Sequence, residues 1–217
     1  MTPHKPPASP LETEGVIQFT LDHTDGDAPS DPRMQGLGDW RNQLKDRGMM
    51  GQDPGRYGGL GFGNLSIRLG AETFLITGSQ TAHHPRLLLE HMTLVLEVSL
   101  EQNRARSLGP VKPSSESLSH AAAYQAHPDI HCVFHVHDPR LFRLRGPLGL
   151  AATPEDVRYG TPAMASAVAA LLRDQPERLI VMAGHLDGLM ATGRSMDAAG
   201  ALLMDYWREA ERIEASQ

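Results

Sequence analysis

Cysteine is almost absent from this sequence of 217 residues, because Cys132 is the single example. One cysteine cannot form an intramolecular disulfide, which excludes a disulfide-stabilised secreted scaffold and favours a reducing compartment. Long apolar runs are also missing, and no stretch approaches the roughly 20 residues that cross a bilayer. The N-terminus has neither the positive start nor the apolar stretch of a secretion signal. We therefore expect a cytoplasmic protein without a membrane partner.

Basic charge is scarce as well. Lysine and arginine number 20 against 26 aspartates and glutamates, which gives a net charge of −6. No basic block offsets this balance, so the composition argues against nucleic-acid binding. Hydrophobic residues make up 40%, an ordinary share for a globular protein with a real core. We expect a disordered, proline-rich tail over residues 1–14 and a single domain over residues 15–217.

Hydrophobic periodicity predicts helices and strands without regular β-α-β alternation. Helices are expected from Met34 to near Gly48, over 84–91, over 113–127, from Thr161 to about Leu172, and after Ser195. Strands are expected at 16–22, at two places within 55–79, on both sides of Gln102-Asn103, at 131–138, at 178–185 and at 188–193. This mixture favours a mostly antiparallel α/β domain.

Three histidines lie within eight residues, in the segment HCVFHVHD at 131–138. Alternate side chains of a strand point to one face, so His135 and His137 should share a face about 7 Å apart, near enough to bind one ion. The opposite, apolar face should consist of Ile130, Cys132, Phe134 and Val136. A half-buried strand that happens to carry histidine explains the same pattern, so neighbouring features must decide between the two.

A third nitrogen ligand would strengthen the metal hypothesis, because catalytic zinc sites usually have three protein ligands and one open position. His185 is a candidate, since it ends an apolar strand between Gly184 and Gly188. A histidine at a strand end is otherwise often a surface residue. His120 is a rival ligand, although it could equally pack against a neighbouring element.

Glu116 lies in the segment PSSES at 113–117, where a predicted helix begins. Backbone N–H groups at a helix start attract anions, and an acidic residue there can simply stabilise the helix as a cap. The helix is short, so the strand that carries His135 and His137 returns past its start. Capping is the simpler explanation of PSSES alone, whereas a carboxylate beside two imidazoles makes a plausible reactive site.

The glycine-rich segment GGLGFGN at 58–64 is similar to a dinucleotide-binding motif. We reject that interpretation, because no strand precedes the segment and no helix follows it. We keep a second interpretation, in which the segment is a tight loop whose N–H groups hold an anion.

The order of these motifs resembles the class II aldolase/adducin family. The resemblance rests on GNLSIR, FLITGS, PSSE, PDIHCVFHVH and VMAGH, and it runs from about Met34 to the C-terminal helix. The family includes fuculose-phosphate aldolases, ribulose-phosphate 4-epimerases and methylthioribulose-phosphate dehydratases. The resemblance implies a single-domain α/β/α sandwich around a mainly antiparallel sheet, and a homotetramer with active sites between subunits.

The resemblance also implies roles for individual residues. His135, His137 and His185 would bind a divalent metal, commonly Zn²⁺, with Mn²⁺, Co²⁺ or Fe²⁺ as alternatives. Glu116 matches the acid/base residue of the family. The positions that hold the substrate phosphate are matched by Gly63, Asn64, Ser79, Ser114 and Ser115.

The chain departs from the family pattern in several places. Leu186 replaces a glycine, Ser79-Gln80 replaces Thr-Gly, and the strand at 16–22 is an addition. A tyrosine from the neighbouring subunit assists the aldolases, and Tyr159 is a candidate for it. Epimerases usually carry aspartate where this chain has Glu116, which favours lyase chemistry.

The expected function is therefore that of a metal-dependent lyase of the aldolase type. Its substrate would be a small hydroxy-carbonyl compound or sugar phosphate, cleaved or formed through an enediolate. A dehydratase or epimerase of the same fold is the nearest alternative. A non-catalytic, adducin-like scaffold is a further alternative, although it predicts the loss of metal ligands that this chain retains.

Overall fold

A computed structural model of the chain describes residues 15–27 and 30–216, so the tail predicted at 1–14 lies outside the described residues. The strands are β1 (Thr20–Asp25), β2 (Gly51–Gln52), β3 (Gly61–Phe62), β4 (Asn64–Arg68), β5 (Phe74–Thr77), β6 (Met92–Ser99), β7 (Arg104–Gly109), β8 (Cys132–His137), β9 (Ala151–Ala152), β10 (Leu179–Val181) and β11 (Gly188–Gly193). The helices are α1 (Met34–Asp46), α2 (Ser117–Ala126), α3 (Pro139–Arg143), α4 (Pro162–Leu172) and α5 (Met196–Ala215). Within the described ranges, no helix has the length and apolar character needed to cross a bilayer.

Nine strands form one sheet, in the order β1-β7-β6-β5-β4-β8-β11-β10-β9. Neighbouring strands run antiparallel, except for the parallel pairs β1–β7 and β9–β10 at the two edges. A separate ribbon pairs β2 with β3. The mainly antiparallel sheet with helices confirms the predicted fold class.

Helices pack on both faces of the sheet. One core holds Leu37 of α1, Leu141 of α3 and Leu203 of α5 against side chains of the central strands. The other core holds Tyr124 of α2 and Val168 of α4. The central strand β8 contributes to both cores, because its alternate side chains point to opposite faces. This arrangement is an α/β/α sandwich with β8 in its middle layer.

The alternation predicted for residues 130–136 holds only inside β8. Cys132, Phe134 and Val136 lie in the core beneath α1 and α5, as expected. Ile130 lies in the opposite core, beside α2 and α4, so its predicted face is wrong. The reason is a turn before the strand, in which the Ile130 amide donates to the His127 carbonyl and breaks the period of two.

Local signals placed three helix ends correctly, namely the starts of α4 and α5 and the end of α1. The Thr161 side chain accepts a hydrogen bond from the Met164 amide at the start of α4, and Ser195 accepts one from Ala198 at the start of α5. Helix α1 ends at Asp46, just before Gly48, whose φ is +67°. Such caps act within one helical turn and can therefore be predicted from short segments.

Two predicted elements are corrected by tertiary contacts. The strand expected at 16–22 begins only at Thr20, because its partner β7 begins at Arg104, directly opposite Thr20. The helix expected over 84–91 is reduced to a single 3-10 turn at Leu89–His91. There the His84 carbonyl, which a helix would need as an early acceptor, accepts hydrogen bonds from side chains of α1 instead.

Candidate active site

Three imidazoles converge at the end of β8. His135 and His137 lie opposite Met190 and Gly188 of β11, and His185 lies in the turn between β10 and β11. The Nε2 atom of His137 lies 3.1 Å from Nε2 of His135 and 3.0 Å from Nε2 of His185. All three side chains are buried. Among the described residues, this is the group of histidine, cysteine and acidic side chains whose ligand atoms lie close enough to hold a metal ion.

The geometry of the three imidazoles fits a metal ion. Zn–N bonds of about 2.0–2.1 Å keep the nitrogens of a tetrahedral site roughly 3.3 Å apart, close to the separations seen here. The Nδ1 atom of His135 donates to the Leu189 carbonyl at 3.0 Å, which leaves its Nε2 lone pair for a cation. Burial lowers the pKa of His135, His137 and His185, which favours the neutral form that metal binding requires.

His120, the rival ligand, lies outside this cluster. Its Nδ1 atom lies 2.6 Å from Oγ of Ser66 on β4, and the same Oγ lies 2.6 Å from the Tyr124 hydroxyl. These three side chains are buried on the α2 side of the sheet. The imidazole of His120 is thus engaged in a separate polar network.

The Glu116 carboxylate faces the imidazoles from the start of α2. Its Oε2 atom accepts a hydrogen bond from Ser119 at 2.8 Å, while Oε1 lies 3.9 Å from Nε2 of His185. Oε1 is buried and has no hydrogen-bond partner among the described residues. Glu116 is the N-cap residue of α2, and its side chain makes no capping hydrogen bond to the helix backbone.

Burial also sets the protonation of Glu116. Loss of hydration raises its pKa to about 7, and the hydrogen bond from Ser119 only partly opposes this shift. Near neutral pH, both the protonated and the ionised form of a carboxyl group with such a pKa are populated. It can therefore take a proton or return one, as acid–base catalysis requires.

The residues expected to hold an anion line one pocket. They are Gly63, Asn64, Ser79, Ser114 and Ser115. Gly63 has a φ of +77°, and a Cβ there would lie 2.4 Å from Cβ of Met50, so the turn requires glycine. Oδ1 of Asn64 is buried without a hydrogen-bond partner among the described residues. This pocket, called the anion pocket below, thus offers polar groups to a ligand.

Gln80 borders the anion pocket at the point where the family pattern has glycine. Its Oε1 atom accepts a hydrogen bond from the Gly61 amide at 2.9 Å. Gly15 lines the same pocket, and a Cβ there would lie 2.2 Å from Nε2 of Gln80. The Ser79-Gln80 departure therefore adds a side chain to the wall of the pocket.

An aromatic wall beside His137 was not predicted from the sequence. The ring centroids of Tyr57 and Phe62 lie 4.7 and 5.7 Å from that of His137. The Tyr57 hydroxyl donates to Asp187 at 2.9 Å and accepts from Arg56 at 2.8 Å. The available signal was two aromatic residues in a glycine-rich loop, in a chain with only 5% aromatic residues.

Tyr159 packs against the site of its own chain. Its ring centroid lies 4.6 Å from that of His185, and its hydroxyl donates to the Val16 carbonyl at 3.2 Å. The segment before β1 therefore reaches from the anion pocket at Gly15 to Tyr159. The N-terminal addition forms part of the wall of the site.

Buried ionisable groups make the stability of the metal-free protein depend on pH. Burial lowers the pKa of His120, His135, His137 and His185. A histidine that stays neutral in the folded state at pH 5 loses roughly 2 kcal/mol of stabilisation between pH 7 and pH 5, since the unfolded chain binds the proton. Glu116 acts oppositely between pH 4.5 and about 7, because its raised pKa lets the folded state bind the proton.

We expect the four histidines to outweigh the single carboxyl group. The urea midpoint of the chelator-treated protein should therefore fall between pH 7 and pH 5, as followed by circular dichroism. A urea midpoint that rises as the pH falls from 7 to 5 would contradict the burial of neutral imidazoles.

The sequence and the fold match a known class of protein. The family model described as "Class II Aldolase and Adducin N-terminal domain" matches residues 56–211. The chain belongs to this family.

Individual relatives agree with this assignment. The chain is 40% identical over 77 residues to a methylthioribulose-1-phosphate dehydratase from Methylococcus capsulatus, a stretch that covers 36% of this chain and 34% of that protein. The match thus spans about a third of the length of the relative.

Solved structures share the fold. L-fuculose-1-phosphate aldolase from Thermus thermophilus is 23% identical, with a TM-score of 0.58 over 84% of this chain and 92% of that chain. A sugar-phosphate aldolase from Thermotoga maritima is 14% identical, with a TM-score of 0.63 over 84% of this chain and 93% of that chain. Similarity at these identities supports the architecture alone.

Proposed function

We propose that this protein is a divalent-metal-dependent lyase that acts on a small sugar phosphate or a related hydroxy-carbonyl compound. One observation carries the proposal, namely that three converging imidazoles lie beside a buried carboxyl group. The free Oε1 of Glu116 is 3.9 Å from Nε2 of His185. A metal centre and a proton-transferring group within such reach are what lyase chemistry at a carbonyl compound requires.

In this proposal His135, His137 and His185 hold the metal. Zn²⁺ is the expected ion because three imidazoles with an open position are typical of catalytic zinc, with Mn²⁺, Co²⁺ or Fe²⁺ as alternatives. When bound, the ion would polarise the substrate carbonyl and stabilise the negative charge that develops there.

The residues of the chain supply the remaining functions. Glu116 transfers the proton at the atom next to the carbonyl, and its pKa of about 7 suits both directions of transfer. Asn64, Ser114 and their neighbours in the anion pocket hold the phosphate end. The buried ring of Tyr57 keeps water from the side of His137.

A sugar-phosphate dehydratase is the second candidate. The stretch of 77 residues that is 40% identical to a methylthioribulose-1-phosphate dehydratase favours it. Aldol cleavage breaks a carbon–carbon bond and dehydration breaks a carbon–oxygen bond, but both need proton transfer beside a polarised carbonyl. The same residues therefore serve either reaction. An epimerase is less favoured, because Glu116 stands where epimerases of the family usually carry aspartate.

Product masses separate these candidates. The metal-loaded protein is incubated with a panel of ketose 1-phosphates and their unphosphorylated forms, and the products are followed by mass spectrometry. Aldol cleavage gives two smaller carbonyl compounds, dehydration removes one water, and epimerisation leaves the mass unchanged. A metal-loaded protein that changes no substrate and exchanges no substrate hydrogen with deuterated water would contradict the lyase assignment.

We also propose a homotetramer of single-domain chains in the cytoplasm, as the family resemblance and the single cysteine favour. Light scattering should give about four times the mass of one chain. The mass of a single chain across a wide range of protein concentrations would contradict this assembly.

A further inference from the structure

Arg41 of α1 is a buried cation behind the loop at 78–84. Its side chain is only 1% exposed, and Nη2 donates to the carbonyls of Thr81, Ala82 and His84 at 3.3, 3.0 and 2.7 Å. Thr81 and Ala82 also line the anion pocket. The guanidinium therefore lies one backbone layer behind the wall of this pocket.

The buried guanidinium of Arg41 has carbonyl oxygens as its hydrogen-bond partners. Within the described part of the chain, no carboxylate forms an ion pair with its guanidinium, and Nη1 is buried without a hydrogen-bond partner. Lys45, one helical turn later, donates to the carbonyls of His83 and His84 at 3.0 and 2.8 Å. Carbonyl dipoles stabilise these cations but leave their net charge in place, and a buried charge acts over several ångströms.

The same hydrogen bonds orient the loop at 78–84. In a trans peptide the N–H group points away from the carbonyl oxygen. Because the Thr81 and Ala82 carbonyls face Arg41, the amides of Ala82 and His83 face away from it. Neither amide has an acceptor among the described residues. Arg41 thus holds the loop with two N–H groups free on the side opposite to the guanidinium.

We propose that Arg41, supported by Lys45, makes the anion pocket selective for a doubly charged phosphate over a singly charged group of the same shape. This inference rests on the proposed function, in which the anion pocket holds the phosphate end of the substrate. Arg41 is a positioning residue, because it acts through the loop and its electric field.

The test compares two ligands of similar shape and different charge. Methyl phosphate is a dianion at pH 8, whereas methyl sulfate is a monoanion. Calorimetry gives the affinity of the metal-loaded protein for each ligand, and the ratio of the two affinities is the readout. Arg41→Met removes the charge, and Arg41→Lys retains it. Arg47→Met is the control, because Arg47 is an exposed cation directly after α1 and packs over Trp207 of α5.

We expect the preference for methyl phosphate to fall at least about tenfold in Arg41→Met, because one unit charge has this effect even at a separation of about 12 Å with an effective dielectric constant of about 20. The preference should persist in Arg41→Lys and in Arg47→Met. A purely structural role would weaken the binding of both ligands equally and leave the ratio of the two affinities unchanged. An unchanged ratio in folded Arg41→Met would therefore overturn the inference. An equal fall in Arg47→Met would also overturn it, because net charge alone would then explain the result.

Folding of each variant is checked by thermal unfolding. If Arg41→Met does not fold, the same two affinities are measured for Lys45→Met. A ratio equal to that of the unaltered protein then overturns the inference. If the unaltered protein binds neither ligand, the anion pocket and this inference both fail. The lyase chemistry at the histidine cluster is judged separately, by the product masses.

Discussion

Replacement of Glu116 by glutamine is expected to lower turnover by roughly 10²–10⁴-fold, the usual scale of general acid–base catalysis. Glutamine keeps the size of the side chain and can still accept the hydrogen bond from Ser119, but it cannot carry the proton. The fold, the metal content and the assembly should hardly change. The loss should therefore appear in the turnover number.

The measurement needs a working substrate, or exchange of deuterium from solvent into a ketone analogue, which reports proton abstraction alone. Glu72→Gln is a matched control, because Glu72 is an exposed glutamate in the turn between β4 and β5. A Glu116→Gln variant with normal metal content and normal exchange would remove Glu116 from the mechanism.

Substitution of His137 by alanine is expected to lower metal affinity by at least about 10²-fold, because even the partners of metal ligands contribute 10–100-fold. His137 is the central imidazole, since its Nε2 lies 3.1 Å from that of His135 and 3.0 Å from that of His185. Activity should be lost together with the metal.

Metal content after loading and dialysis, by elemental analysis, checks this result. His131→Ala is the matched control, because His131 lies in the same segment but is exposed and outside the cluster. His120→Ala, within the buried Ser66 network, should also retain the metal. Full metal content in a folded His137→Ala variant would disprove the site.

Features that depend on short segments were predictable from the sequence. The spacing of His135 and His137 placed both imidazoles on one face of β8, because side chains of a strand alternate. Thr161 and Ser195 marked the starts of α4 and α5, because a cap bonds within one helical turn. The order of the family motifs supplied His185 and the residues that line the anion pocket.

Ambiguous segments were resolved by contacts across the fold. Glu116 could be a helix cap or a reactive group, and only the tertiary structure turned its carboxylate toward His185. The segment 84–91 suggests a short helix by its sequence, yet the His84 carbonyl accepts hydrogen bonds from Arg41 and Lys45 of α1. The hydrogen bonds from buried Arg41 and half-buried Lys45 override the local preference for a helix there.

By itself, the sequence determined the family, the fold class, the histidine strand and three helix ends, because each depends on local periodicity or on an ordered set of motifs. Only the tertiary structure decided that Tyr57 packs against His137 and that Arg41 lies behind the anion pocket. These contacts join residues about 40 to 80 positions apart, and strand order sets which of them meet. Periodicity within one segment carries no information about that order.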